Sequence, residues 1–91
     1  MKTLDEIIEM ERAGASSEDV IASLDEYISV HTRDDEALTE RGLVYWGMGK
    51  RSLAINDYLA ALEINPESRA KLALKSANDI LDYYNKDLYN P

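Results

Sequence analysis

The sequence predicts an all-α protein in which two pairs of antiparallel helices stack and a longer fifth helix closes the end. Three observations predict it. Apolar and small residues recur at three- and four-residue steps, the spacing that gathers them on one face of a helix. Residues 1–34 laid under 35–68 without a gap repeat the apolar pattern, with Leu4 under Leu38, Ile21 under Ile55, Leu24 under Tyr58, Ile28 under Leu62 and Val30 under Ile64. A constant offset over so many positions marks a repeated structural unit. Helix start and stop signals fall between the apolar stretches and divide the chain accordingly.

Helices are expected over residues 4–13, 17–30, 35–48, 51–64 and 67–86. The first starts at Thr3, whose spacing to Glu6 is that of a capping box, and ends before Gly14, where a positive φ suits glycine. Ser16 or Ser17 caps the second. In this pair Ile8 faces Val20, and two bulky side chains at a crossing are expected to hold the helices apart. Asp34, Asp35 and Glu36 place negative charge at the start of the third helix, where the macrodipole favours it, and Gly49 follows its end. Leu38, Gly42 and Tyr45 form one face of that helix and Ala54, Tyr58, Ala61 and Leu62 one face of the fourth, so small residues fall where the two would touch. Pro66 opens the fifth helix, where proline is tolerated. That helix begins in the repeat's register, with Leu72 and Ser76 one period after Leu38 and Gly42. It then becomes a stripe of Ala70, Leu74, Ala77, Leu81, Tyr84 and Leu88, with Lys71, Lys75, Asp79, Asp82 and Lys86 elsewhere. The whole is read as one domain: a degenerate repeat at 1–34, a clear one at 35–68, a capping helix at 69–86 and a tail at 87–91.

A chain of 91 residues supports one core and not two. No apolar run approaches the roughly 20 residues of a membrane span, so no membrane partner is expected. Asp5, Glu6, Glu9 and Glu11 near the start do not read as a secretory signal, and there is no cysteine; a cytoplasmic location is expected. The net charge of −8 arises within residues 1–36, where 11 acidic side chains face three basic ones; the remainder balances at seven each. Such a half repels phosphate backbones, so nucleic acid is not expected as a ligand and a basic polypeptide is.

The unit from Asp35 to Ser68 carries Leu38, Gly42, Tyr45, Ala54, Tyr58, Ala61 and Pro66 at the marker spacings of a tetratricopeptide repeat (TPR). Its length also agrees with the period of about 34 residues typical of that repeat. It resembles the repeat as found in small single-domain bacterial TPR proteins. The first unit departs at the diagnostic positions, with Ile8, Glu11, Val20 and Tyr27 where the second has Gly42, Tyr45, Ala54 and Ala61. The resemblance implies a short right-handed stack that binds other polypeptides on a concave face made by the first helix of each pair. Carried over residue by residue, the implied contacts are Glu36, Thr39, Leu43, Trp46 and Gly47 in the clear unit and Lys2, Asp5, Glu9, Arg12 and Ala13 in the degenerate one. The fifth helix contributes Ala70, Ala73, Ala77, Ile80 and Leu81. Leu43, Trp46, Ala77 and Ile80 then form an apolar floor, and Asp5, Glu9, Glu36 and Glu40 an acidic wall. Trp46 lies about 100° round the helix from the stripe of Leu38, Gly42 and Tyr45. Burial of its ring is worth about 4–6 kcal/mol before ordering costs, enough for an anchor. A protein or peptide with apolar anchors and basic flanks is the expected partner, and a homodimer burying the same strip is the alternative. The Lys, Asn and Arg set with which one TPR subtype clamps a chaperone's C-terminal carboxylate is missing, since Asp5 and Glu9 stand there instead.

No enzymatic constellation is assembled. His31 is the sole histidine and lies in a turn, and Ser16, Ser17 and Ser23 have no nearby base. The pairs Asp5 with Glu9 and Glu36 with Glu40 lack the loop spacing or His partner of a metal site, and Gly49-Lys50-Arg51-Ser52 follows no phosphate-loop glycine pattern. No cofactor, metal or catalytic residue is expected.

Overall fold

The structure, a computed structural model, describes the backbone of residues 1–89 and the side chains of residues 1–81. Helices α1 (Leu4–Arg12), α2 (Ser17–Val30), α3 (Asp35–Gly47), α4 (Arg51–Ile64) and α5 (Ala70–Tyr89) follow one another, and there is no strand among the described residues. The expected positions of Tyr84 and Leu88 on the α5 stripe, and the last two residues of the tail, lie outside what is described.

Local signals set most boundaries. Thr3 and Glu6 satisfy each other's backbone amides, the Glu6 N–H donating to Thr3 Oγ1 at 3.2 Å and the Thr3 N–H to Glu6 Oε1 at 3.1 Å. Ser16 Oγ accepts from the Asp19 N–H at 3.1 Å at the start of α2. Asp34 caps α3 with one carboxylate oxygen, accepting from the Ala37 N–H at 3.1 Å, and with the other accepts the Tyr27 hydroxyl at 2.8 Å. That second bond ties the end of α2 to the start of α3 and raises the Tyr27 pKa, because it favours the neutral phenol. Gly14 at φ +96° and Gly49 at φ +80° turn the chain after α1 and α3. The α5 start falls at Ala70 and not at 67, because Asn65 to Arg69 fold into a turn. Within it the Ser68 N–H donates to the Asn65 carbonyl at 2.9 Å and Ser68 Oγ accepts from the Ala70 N–H at 3.2 Å.

Each helix packs on its chain neighbours, and α5 also touches α3, giving a body 51 × 29 × 17 Å. The radius of gyration of 14.2 Å exceeds the roughly 12 Å of a rounder domain of this length, as a row of helices packed in chain order requires. α3 and α4 form the most extensive contact, and Gly42 is the reason. A Cβ there would lie 2.5 Å from Tyr58 Cε1 and 3.2 Å from the Ala54 carbonyl oxygen, so only glycine allows this approach. Leu38, Ala54, Tyr58, Ala61, Ala70 and Ala77 make the larger apolar cluster, and Ile7, Val20 and Leu24 a smaller one between α1 and α2.

The sequence offset is visible in burial as well. Val20 and Leu24 are buried, as are Ala54 and Tyr58 one period later. α1 departs from this: Ile8, which aligns with Gly42, is only half-buried, and Ile7 is the buried residue. A bulky side chain at the close crossing has been turned aside by about one residue, or 100°. α5 departs too. Its packed residues Ala70, Leu74 and Ala77 stand one position short of a full period after Ala37, Arg41 and Val44, whereas Leu72, a full period after Leu38, is 73% exposed. The turn at Asn65 to Arg69 shifts the register by that one position. The α5 face that would meet a sixth helix therefore carries Lys71, Lys75 and Asn78, a polar surface that suits an exposed end.

One buried ion pair was not foreseen from the sequence. Arg41 forks onto Asp57, with Nε to Oδ2 at 2.9 Å and Nη2 to Oδ1 at 2.8 Å, and donates through Nη1 to Asp25 Oδ1 at 3.0 Å. These bonds join α2, α3 and α4, and hold the guanidinium charged well above its ordinary range. Arg41 stands one full period after Ile7, so the two units fill one position with opposite chemistry.

Candidate binding groove

α3 lies in the middle of the groove. Glu36, Glu40, Leu43 and Gly47 fall on one stripe of it, at the steps that keep residues on one helix face. α5 runs beside it in the same direction, since Arg69 meets Glu36 and Glu40 while Ser76 and Ile80 meet Leu43 and Trp46 further along.

Two hollows flank Leu43. One of about 290 Å³ lies between the α1–α2 turn and α3, where Ala15, Val20, Val44 and Gly47 are joined by Glu11 and Ser17. The other, of about 170 Å³, lies between α3 and α5, where Trp46, Ser76 and Ile80 stand over Tyr58, Ala73 and Ala77. Leu43 lines both and is 42% exposed; Ile80 is 39% exposed. Together they form an apolar strip across the α3 C-terminal half. Two larger hollows, one at Met1, Lys2, Glu6, Ser23 and Glu26 and one at His31, Arg33, Asp34 and Asp35, are lined mostly by polar and charged side chains.

The expected contact residues fare unequally. Leu43, Trp46 and Ile80 come together at the smaller hollow. Trp46 is half-buried: its ring packs on the larger cluster, and the Arg51 guanidinium sits 5.0 Å above the ring centroid. Ala77 belongs to the core, and only the base of the smaller hollow touches it. Thr39 is corrected outright. It is 1% exposed, and its hydroxyl donates to the Asp35 carbonyl at 2.7 Å and lies 3.3 Å from Ser68 Oγ, so it pins the α5 turn and faces no ligand.

The acidic wall is also different from the expectation. Arg69 Nη2 lies 2.9 Å from Glu36 Oε2 and 2.8 Å from Glu40 Oε1, so one cation already serves both carboxylates and its own pKa is raised by those bonds. Glu9 pairs with Arg12 at 3.2 Å on the exposed face of α1, and the charge of Asp5 is felt at Tyr27, near the turn into α3. The α1-side carboxylate that does approach α3 is Glu11: burial first, and then the Glu40 charge, push its pKa up. Arg69 and Glu11 escaped sequence reasoning. Glu11 aligns with Tyr45, a core position, and Arg69 falls one position before the one that the repeat register carries onto the groove. Among the described residues no helix is long and apolar enough to cross a membrane, and no group of three or more His, Cys, Asp or Glu side chains is placed to hold a metal ion. Comparison with protein-family models, curated proteins and solved structures returned no match.

Proposed function

We propose that this protein is a small TPR-like interaction module, a right-handed stack of two helix pairs and a capping helix, that holds a segment of another protein along α3. The observation that carries this reading is Leu43: half exposed, shared by two hollows, and continuous with Trp46 and Ile80. A strip of this kind accepts apolar side chains on either side of Leu43. Glu36 and Glu40 stand at its other end, Glu11 lines the hollow beside Leu43, and the chain carries a net charge of −8, so basic residues flanking the apolar anchors complement it.

Isothermal titration with an amphipathic peptide of leucine, alanine and arginine tests the reading. Binding is expected to weaken with salt and to fall about tenfold or more in Leu43→Ser and in Trp46→Ala. Binding that ignores both substitutions and salt would remove the groove from consideration. Sedimentation over a range of concentrations separates the alternative occupant: a dimer that Leu43→Ser dissociates would replace this reading by self-association, and a monomer throughout supports it.

A further inference from the structure

Arg69 sits where a ligand's cation belongs. Its Nε donates to Glu36 Oε2 at 3.1 Å and its Nη2 to Glu40 Oε1 at 2.8 Å, at the polar end of the stripe whose next member is Leu43. We propose that Arg69 is a resident occupant of the groove and that a partner binds by exchange, its own basic side chain taking the Glu36 and Glu40 carboxylates from Arg69. This inference rests on the groove reading above.

Two contrasts in the same molecule support exchange over a fixed brace. Arg41 is the brace: its side chain is 21% exposed and grips an Asp57 that is 8% exposed, so separating them would strand a buried charge. Arg69 is 53% exposed and Glu36 49%, so that contact can be rehydrated when its ends part; Glu40, 15% exposed, is sheltered and passes directly from Arg69 to the partner's cation, which makes the step an exchange and not a simple release. Arg69 also precedes α5 in the turn from Asn65, and its side chain can leave while the Leu72 and Ala73 amides keep their bonds to its carbonyl. The partner's basic residue then lies about one helical turn, roughly 5 Å, from the apolar side chain that it seats at Leu43.

The test is isothermal titration of the full chain, as wild type, Arg69→Gln, Arg69→Lys and Trp46→Ala, with the same leucine, alanine and arginine peptide at low salt. The Arg69 side chain is half exposed, and an ion pair with an exposed partner holds back at most about a fivefold change in Kd, so Arg69→Gln is expected to bind about two- to fivefold tighter than wild type, with Arg69→Lys between them. Melting curves alongside identify any loss of folding, in which case Arg69→Lys against wild type decides. Wild-type binding that Trp46→Ala abolishes but that Arg69→Gln leaves unchanged or weakens would overturn the exchange and leave the groove standing. No binding by wild type or Arg69→Gln would overturn both.

Discussion

Among single residues, Glu11 bears the clearest pH signature. Burial and the nearby Glu40 raise its pKa above the ordinary 4.5, against a smaller opposing pull from Arg12. A carboxyl whose folded pKa exceeds its unfolded one contributes stability below the unfolded value and loses that contribution as pH rises through the folded value. At neutral pH the Glu11 charge therefore works against the fold. Because Glu11 is exposed and its charge is screened by solvent, Glu11→Gln is expected to raise Tm at pH 7 by no more than about 2 °C and to leave Tm unchanged near pH 3.5. An equal rise at both pH values would show that charge is not the cause. Nothing in the sequence announces this group, because its neighbours are set by how α1 and α3 face each other. The same holds for Arg41 and Arg69: each reads as an ordinary surface cation until the rotation of α3 and the turn before α5 are known.

At the scale of elements, the α3–α4 contact turns on one missing methyl. Alanine in place of glycine within a helix normally gains about 1 kcal/mol. At Gly42 the added Cβ would meet the ring of Tyr58 at 2.5 and 2.8 Å, and that ring is buried and has no free end to swing away. Overpacking costs about 1–3 kcal/mol, and with so rigid a neighbour the upper part of that range applies. Gly42→Ala is expected to lower stability by a net of about 1–2 kcal/mol, while Gly47→Ala, with nothing within 4 Å of its Cβ, is expected to raise it by up to about 1 kcal/mol. Urea unfolding of both variants checks the pair, and equal effects would contradict the packing described. This contact was legible in the sequence, since Gly42, Ala54, Tyr58 and Ala61 mark it directly. The rotation of α5 was not. Its apolar stripe is legible as far as Ala77, but the repeat register carried onto it is displaced by the hydrogen bonds of Asn65 and Ser68, which no periodicity records.

Across the whole molecule the apolar interior is divided. Ile28 is the one described side chain that packs against both the α1–α2 cluster and the larger cluster of α3, α4 and α5. All five helices and most of their caps could be read from the sequence, because both arise from local spacing. The division could not: Ile8, Glu11, Val20 and Tyr27 mark the first unit as degenerate, but nothing in their spacing says that its apolar residues gather in a cluster of their own. Ile28→Ala is expected to cost about 1–2 kcal/mol, below the roughly 2–5 kcal/mol of a fully buried isoleucine because this one is half-buried, and to split thermal unfolding into two steps, the α1–α2 pair melting first. A single sharp transition by calorimetry would show that the two clusters are coupled by other means. The position of Leu43 adds a consequence. Its two hollows lie on opposite sides of this seam, one against the α1–α2 pair and one against α5. A segment seated in both would act as a splint, so that in Ile28→Ala the peptide would merge the two melting steps into one, and occupancy of the groove would be read out as restored mechanical unity of the chain.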